Sequence, residues 1–320
     1  MIAVVIPCYK VRQQIGDVIS RTITHADKIY IIDDACPEST GKYVEEHFPS
    51  SAISVIYHPK NLGVGGAVKT GYSRAMQDGA AIVIKLDGDG QMDPAMIPRL
   101  IEPIRNKTAD YVKGNRFYDL AYLQKMPVMR KFGNSALSFI NKMSSGYWNV
   151  MDPTNGFTAI TRTALEHLPL DKIDNRFFFE SDMLFRLNII RAVVSDIPMK
   201  AEYKNEKSNL RIGKVLFQFP FKYANRLMKR IFYNYFLRDF NVGSMELVIS
   251  IVLSLFGLIF GLYKWIGSIE TGMPATAGTV FLAGLPIILG FQAFFNFLHF
   301  DVSNIPRNPV SSEESFPQKN

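Results

Sequence analysis

Two carboxylates one residue apart, Asp87 and Asp89, stand in the stretch Lys85-Leu86-Asp87-Gly88-Asp89-Gly90-Gln91, directly after the apolar run Ala80 to Ile84. That is a strand running into a loop. Alternate side chains at a strand end point the same way, so the two carboxylates can converge, while Gly88 and Gly90 let a ligand approach the backbone closely. Hard oxygen ligands with open positions suit Mg²⁺ or Mn²⁺ bound through a substrate's phosphates. A solvated Asp-Gly turn carries the same letters, so the neighbouring elements have to decide between the two.

Those elements alternate. Ile2 to Ile6, Ile29 to Ile32, Ile53 to Tyr57, Ala80 to Leu86 and Tyr111 to Lys113 read as short buried strands, separated by helical spacing over Val11 to Thr24, Tyr43 to Phe48, Gly63 to Met76 and Pro94 to Ile104. Strand and helix at this spacing predict an α/β fold with a doubly wound, mostly parallel sheet, in which ligands sit beyond the carboxyl ends of the strands. Tyr9, Asp33, Asp34, Asp87 and Asp89 all fall at such ends. The glycine-rich Asn61 to Thr70 fits neither the P-loop nor the G-x-G-x-x-G pattern, because Val68 occupies the position that needs a glycine. It is a helix start that either faces phosphates with bare N–H groups or packs tightly.

The 320 residues are 48% apolar and carry a net charge of +7. The apolar residues concentrate late, in two nearly uncharged segments, Met245 to Ile266 and Ala277 to Leu298, which predict membrane helices. Basic residues thicken just before the first segment, so the charge points to a membrane surface; no recognition motif supports nucleic acid. Two cysteines without a C-x-x-C pair exclude a disulfide framework and a structural zinc site. Met1 to Ile6 is too short for a signal-peptide core, and the loop Gly267 to Thr276 lacks Lys and Arg, so both chain ends and the amino-terminal domain are expected in the cytoplasm.

Ile6-Pro7-Cys8-Tyr9, Ile32-Asp33-Asp34, Asn61-x-Gly63-x-Gly65 and Leu86-Asp87-Gly88-Asp89-Gly90-Gln91 occur in the order seen in family 2 glycosyltransferases of the GT-A fold. With two carboxy-terminal membrane helices the chain resembles the polyprenyl-phosphate sugar-transferase branch, similar to dolichyl-phosphate mannose synthases and bacterial undecaprenyl-phosphate glucosyltransferases. The resemblance implies inverting transfer of one sugar from a nucleotide diphosphate sugar to a polyprenyl phosphate, undecaprenyl or dolichyl, at the cytoplasmic face of a bacterial plasma membrane. It implies a nucleotide site at Pro7, Tyr9, Asp33, Asp34 and Asp87, and a metal, Mg²⁺ or Mn²⁺, on Asp89 and Gln91. An acceptor-phosphate site is implied at Arg116 and Arg130, whose planar forks suit phosphate oxygens. The segment Ala201 to Ile212 departs from the family pattern of an arginine and a Gly-x-Ser-Lys; Lys204 and Lys207 are expected to replace that positive charge, Lys207 as a third acceptor-phosphate residue.

Asp152 in Asp152-Pro153-Thr154-Asn155-Gly156-Phe157, with Glu180 and Asp182 in the later acidic motif, joins Asp87 and Asp89 as the residues expected to serve catalysis. A lipid phosphate is already largely ionised at neutral pH, so Asp152, Glu180 and Asp182 are expected to orient it rather than deprotonate it; for Glu180 and Asp182 the alternative is to cap a helix. Four parts are expected: a catalytic domain over 1–212, interfacial amphipathic helices over 213–241, two membrane helices over 242–300 and a disordered polar tail over 301–320. In the interfacial part Lys222, Arg226 and Lys229 share a face opposite Tyr223, Leu227, Ile231 and Tyr235. Ser250, Ser254, Gly257 and Gly261 form a small-residue stripe that packs helices within one chain or pairs two copies as a homo-oligomer. Two rivals share these features: a processive polysaccharide synthase, which would need a Gln-x-x-Arg-Trp motif and more membrane helices, and an inactive scaffold that binds nucleotide sugar.

Overall fold

A computed structural model of the chain describes residues 1–118, 128–199 and 212–315. It forms two compact units, one of Met1–Leu227 with the chain from Pro306 onward, the other of Met228–Ile305.

The first unit is built on one seven-stranded sheet in the order β3-β2-β1-β4-β6-β5-β7. Five strands match the apolar runs: β1 (Ile2–Cys8), β2 (Lys28–Asp33), β3 (Ile53–Tyr57), β4 (Ile82–Lys85) and β5 (Tyr111–Asn115). Ala3, Val4, Val5 and Ile6 are all fully buried, as expected where helices cover both faces of a parallel sheet. β1 pairs in parallel with β2 and β4, and β2 with β3. Two strands were not foreseen. β6 (Thr158–Thr161) runs antiparallel between β4 and β5, and β7 (Val194–Pro198) runs parallel to β5. At four residues, two of them Thr, β6 is too short for a periodic signal, and Ser195 and Asp196 interrupt that of β7.

The helices of this unit are α1 (Ile15–Thr22), α2 (Thr40–His47), α3 (Val64–Gln77), α4 (Ile97–Arg105), α5 (Val128–Ser145), α6 (Arg162–Glu166) and α7 (Phe179–Ile189). α8 (Ile212–Phe232) follows and continues as a π-helical turn, Tyr233–Arg238.

The basic residues of α8 do not form the free lipid-facing stripe that their spacing suggested. Lys222 pairs with Asp174 and Arg226 with Asp182 inside the first unit. Arg230 is buried within the second, forked onto Asp301 at 2.6 and 3.0 Å, with the Tyr235 hydroxyl donating to the same carboxylate at 2.7 Å. A basic stripe looks the same in sequence whether it meets lipid or carboxylates from distant elements. Lys229 of that predicted face stays exposed, beside large exposed apolar groups: Phe221, Met228, Phe232, Leu237 and Phe240.

α9 (Val242–Thr271) and α10 (Ala277–Ser303) are each long and apolar enough to cross a bilayer. Only 11% and 17% of their most apolar windows is buried, so the aliphatic surface faces outward rather than into a core. The small-residue stripe packs within the hairpin. A Cβ on Gly257 would stand 2.7 Å from the Ala283 carbonyl oxygen, and one on Gly290 2.3 Å from Ser254 Oγ.

The expectation of a disordered tail is corrected over its first residues, while 316–320 lie outside the described residues. Val310 N and Ser311 N each donate at 2.9 Å to the Asp110 carboxylate, which accepts from Val193 N as well, and Pro306 and Pro309 are buried. Asp110 is fully buried, and a buried carboxylate demands such donors. Nothing local to the polar tail announces that.

Candidate functional site

The site grows from the carboxyl end of β4. Beyond Lys85 the chain turns through Gly90, whose φ of +72° only glycine adopts readily, and Asp89 Oδ1 accepts from Gln91 N at 3.0 Å. Asp87 and Asp89 are half-buried. Beneath them Lys85 is 1% exposed, its ammonium 2.9 Å from Asp87 Oδ1 and 3.1 Å from Glu180 Oε1 at the start of α7. Burial works against that charge; Asp87 and Glu180 outweigh it and raise the pKa.

A second wall is the loop from Asp152 to Phe157. Arg116, just past β5, lays its fork on the buried Asp152 at 2.7 and 2.9 Å and reaches Thr154 Oγ1 at 3.3 Å. Fully buried Lys113 donates to the Asn155 carbonyl at 2.7 Å, and Asn155 Oδ1 accepts from Phe157 N. Gly156 is the closest approach: a Cβ there would stand 2.3 Å from Lys85 Nζ and 2.6 Å from Asp87 Oδ2. The structure therefore brings together Asp87, Glu180, Lys85 and the Asp152 loop, which carries Arg116.

Other sequence-predicted residues have different partners. Asp33 accepts from Cys36 N and Gly41 N, both at 2.7 Å. Asp34 accepts from Leu62 N and Gly63 N at 2.8 Å and faces His58 Nδ1 at 2.7 Å. The two aspartates thus tie down the loops that frame the β2 end. Gly66 N donates to the Asn175 carbonyl, so at Leu62, Gly63 and Gly66 the glycine-rich helix start spends its amides on tight packing rather than presenting them bare. The His58 side chain is buried between Asp34 and Thr70, its ring nitrogens 2.7 and 2.9 Å from Asp34 Oδ1 and Thr70 Oγ1. Asp182 is fully buried and accepts from Arg226 and from Asp174 N; it does not cap α7, whose N-cap residue, Phe178, has no side-chain cap bond. Tyr9 is exposed beyond β1 and Pro7 half-buried. The side chain of Arg130, on α5, and all of Lys204 and Lys207 lie outside the described residues.

Sequence reasoning missed Lys85 and Lys113. The signal was present: each interrupts a strand at a position where its neighbours are buried, and a buried lysine requires a partner. Lys113 is held down to a pKa of about 8 by burial, which nearby Glu180, Asp152 and Asp196 only partly offset. Asp196 is pushed up to about 6, again by burial, against the bond from Met151 N. The Lys113 shift has a measurable sign. Between pH 8 and the ordinary lysine value of 10.5 the unfolded chain holds a proton that the folded chain has released, so stability rises with pH across that window. Relative to Lys113→Met, the detergent-solubilised protein is expected to gain about 3 kcal/mol between those limits. Parallel denaturation curves for the two proteins would contradict it.

Asp87, Asp89 and the Gln91 side chain offer only oxygens, and among the described residues no three His, Cys, Asp or Glu side chains form a self-sufficient cage. Such a donor set fits a hard divalent ion that takes its remaining ligands from a bound diphosphate and water.

Residues 3–169 match the model of glycosyl transferase family 2. The chain is 30% identical over 243 residues to UDP-N-acetylglucosamine--dolichyl-phosphate N-acetylglucosaminyltransferase of Methanococcus voltae, covering 72% of this chain and 96% of that protein. It is 28% identical over 173 residues to undecaprenyl-phosphate mannosyltransferase of Micrococcus luteus, covering 53% and 70%. Among solved structures, glucosyl-3-phosphoglycerate synthase of Mycobacterium tuberculosis with UDP aligns at a TM-score of 0.56 and 17% identity, covering 71% of this chain and 80% of that one. The same synthase has been crystallised with Mn²⁺, UDP and glucosyl-3-phosphoglycerate, and that structure aligns at a TM-score of 0.54 and 16% identity, covering 72% and 79%. The solved structures agree with the mostly parallel sheet of the first unit, and the chain belongs to glycosyl transferase family 2.

Proposed function

We propose that this glycosyltransferase moves one sugar from a nucleotide diphosphate sugar to a polyprenyl phosphate at the cytoplasmic membrane face, with inversion at the anomeric carbon. The carrying observation is the acidic loop after β4, walled by Arg116 and Glu180, in a chain that also holds two helices apolar enough to span a bilayer. The names of the relatives, dolichyl-phosphate and undecaprenyl-phosphate sugar transferases, support a polyprenyl phosphate acceptor. A uridine nucleotide is the first donor to test, given the UDP-sugar in the name of the Methanococcus voltae relative.

On this reading Asp89 and Gln91 hold Mg²⁺ or Mn²⁺. The ion would supply charge neutralisation for the departing diphosphate. Asp87 orients the donor from the opposite side of the loop. Arg116, already aligned by Asp152, has N–H donors suited to an acceptor phosphate oxygen. Glu180 aims the acceptor without having to remove a proton, because the phosphate arrives ionised.

Purified protein, polyprenyl phosphate and a panel of UDP- and GDP-sugars, read by mass spectrometry of the lipid fraction, test the proposal. One sugar per lipid is expected. A ladder of products would favour a processive synthase, and donor binding without any product would favour a scaffold.

A further inference from the structure

Lys85 is enclosed, and both its carboxylate partners belong to the site. Its ammonium is shared between Asp87 from the end of β4 and Glu180 from the start of α7. With its side chain 1% exposed it cannot reach a ligand in the cleft, so any effect on the reaction passes through those two side chains. Lys113, the other buried lysine nearby, gives its hydrogen bond to the Asn155 carbonyl and has no carboxylate within ion-pair distance among the described residues. It is no substitute. Without Lys85, two partly buried carboxylates would face each other uncompensated, a costly arrangement that relaxes by moving them apart.

We propose that Lys85 is a positioning residue, an internal counter-ion that holds Asp87 and Glu180 in the donor-competent arrangement and reduces the negative charge a nucleoside diphosphate meets on entry. This rests on the donor reading above. The alternative is that the lysine merely fills space and ties two elements together.

Calorimetric titration of the full detergent-solubilised chain with UDP and GDP in Mg²⁺ separates these cases. The wild type is compared with Lys85→Met, which keeps the apolar stem, and with Lys85→Met/Glu180→Gln, which restores the charge count. The single variant is expected to bind the preferred nucleotide about tenfold or more weakly, and the double to recover most of that loss, as charge complementarity requires. Unchanged affinity in Lys85→Met, or a double variant no tighter than the single, overturns the proposal. So does loss of a cooperative melt in both, because a counter-ion role predicts that balancing the charge rescues the fold. A wild type that binds neither nucleotide would instead overturn the donor reading itself.

Discussion

Asp89→Asn is expected to leave a folded, membrane-associated protein whose sugar transfer has fallen by about two to four orders of magnitude. A charged ligand to the diphosphate's counter-ion contributes several kcal/mol to the transition state, and each ~1.4 kcal/mol is tenfold in rate. Folding should be spared because Asp89 lies in a half-buried loop and the backbone bond it accepts from Gln91 N is within reach of the Asn side-chain oxygen as well. The measurement is single-turnover transfer alongside thermal melting, with Mg²⁺ or Mn²⁺ varied. Turnover within a few-fold of wild type would remove Asp89 from the metal site.

The second large effect is expected from one methyl group. Gly156→Ala places a Cβ 2.3 Å from Lys85 Nζ and 2.6 Å from Asp87 Oδ2, closer than real Cβ contacts come. Something must shift, and neither side yields easily: Lys85 is enclosed by two carboxylates, while Lys113 and Phe157 N hold the loop through Asn155. A displacement near 1 Å at reacting groups costs about 100-fold in rate, so transfer should drop by about that factor with only a modest fall in melting temperature. Gly156→Ala within twofold of wild type would mean that the loop yields without disturbing Asp87.

The parallel half of the fold was legible because β1 to β5 are mostly short apolar runs at βαβ spacing. β6 was not: its place between β4 and β5 is fixed by pairing Thr158 with both Lys85 and Lys113, a long-range fact without local trace. At the site, spacing pointed to Asp87 and the family resemblance implied Arg116, Asp152 and Glu180; the structure ties Asp87 to Glu180 through Lys85, and Arg116 to Asp152. Neither gave a hint that the Arg116 fork would already rest on Asp152, or that Asp33 and Asp34 would be occupied by backbone amides. The basic run in α8 misled for a related reason. Its carboxylate partners, Asp174, Asp182 and Asp301, lie far off in sequence, and a side chain's preference for lipid or for a partner is decided by what tertiary structure delivers.

The returning tail has a consequence for how the polypeptide is made and threaded. The chain leaves its first unit after Leu227 and rejoins it at Pro306, so α9 and α10 are an excursion with both ends rooted in one folded body. A body that keeps both roots on its own side permits only an even number of crossings, and parity then opposes a single-pass insertion independently of flanking charge. Synthesis order adds a second condition. Two of the three amides that satisfy Asp110 belong to Val310 and Ser311, which leave the ribosome only after the whole hairpin, so the first unit is completed only once α9 and α10 have been made.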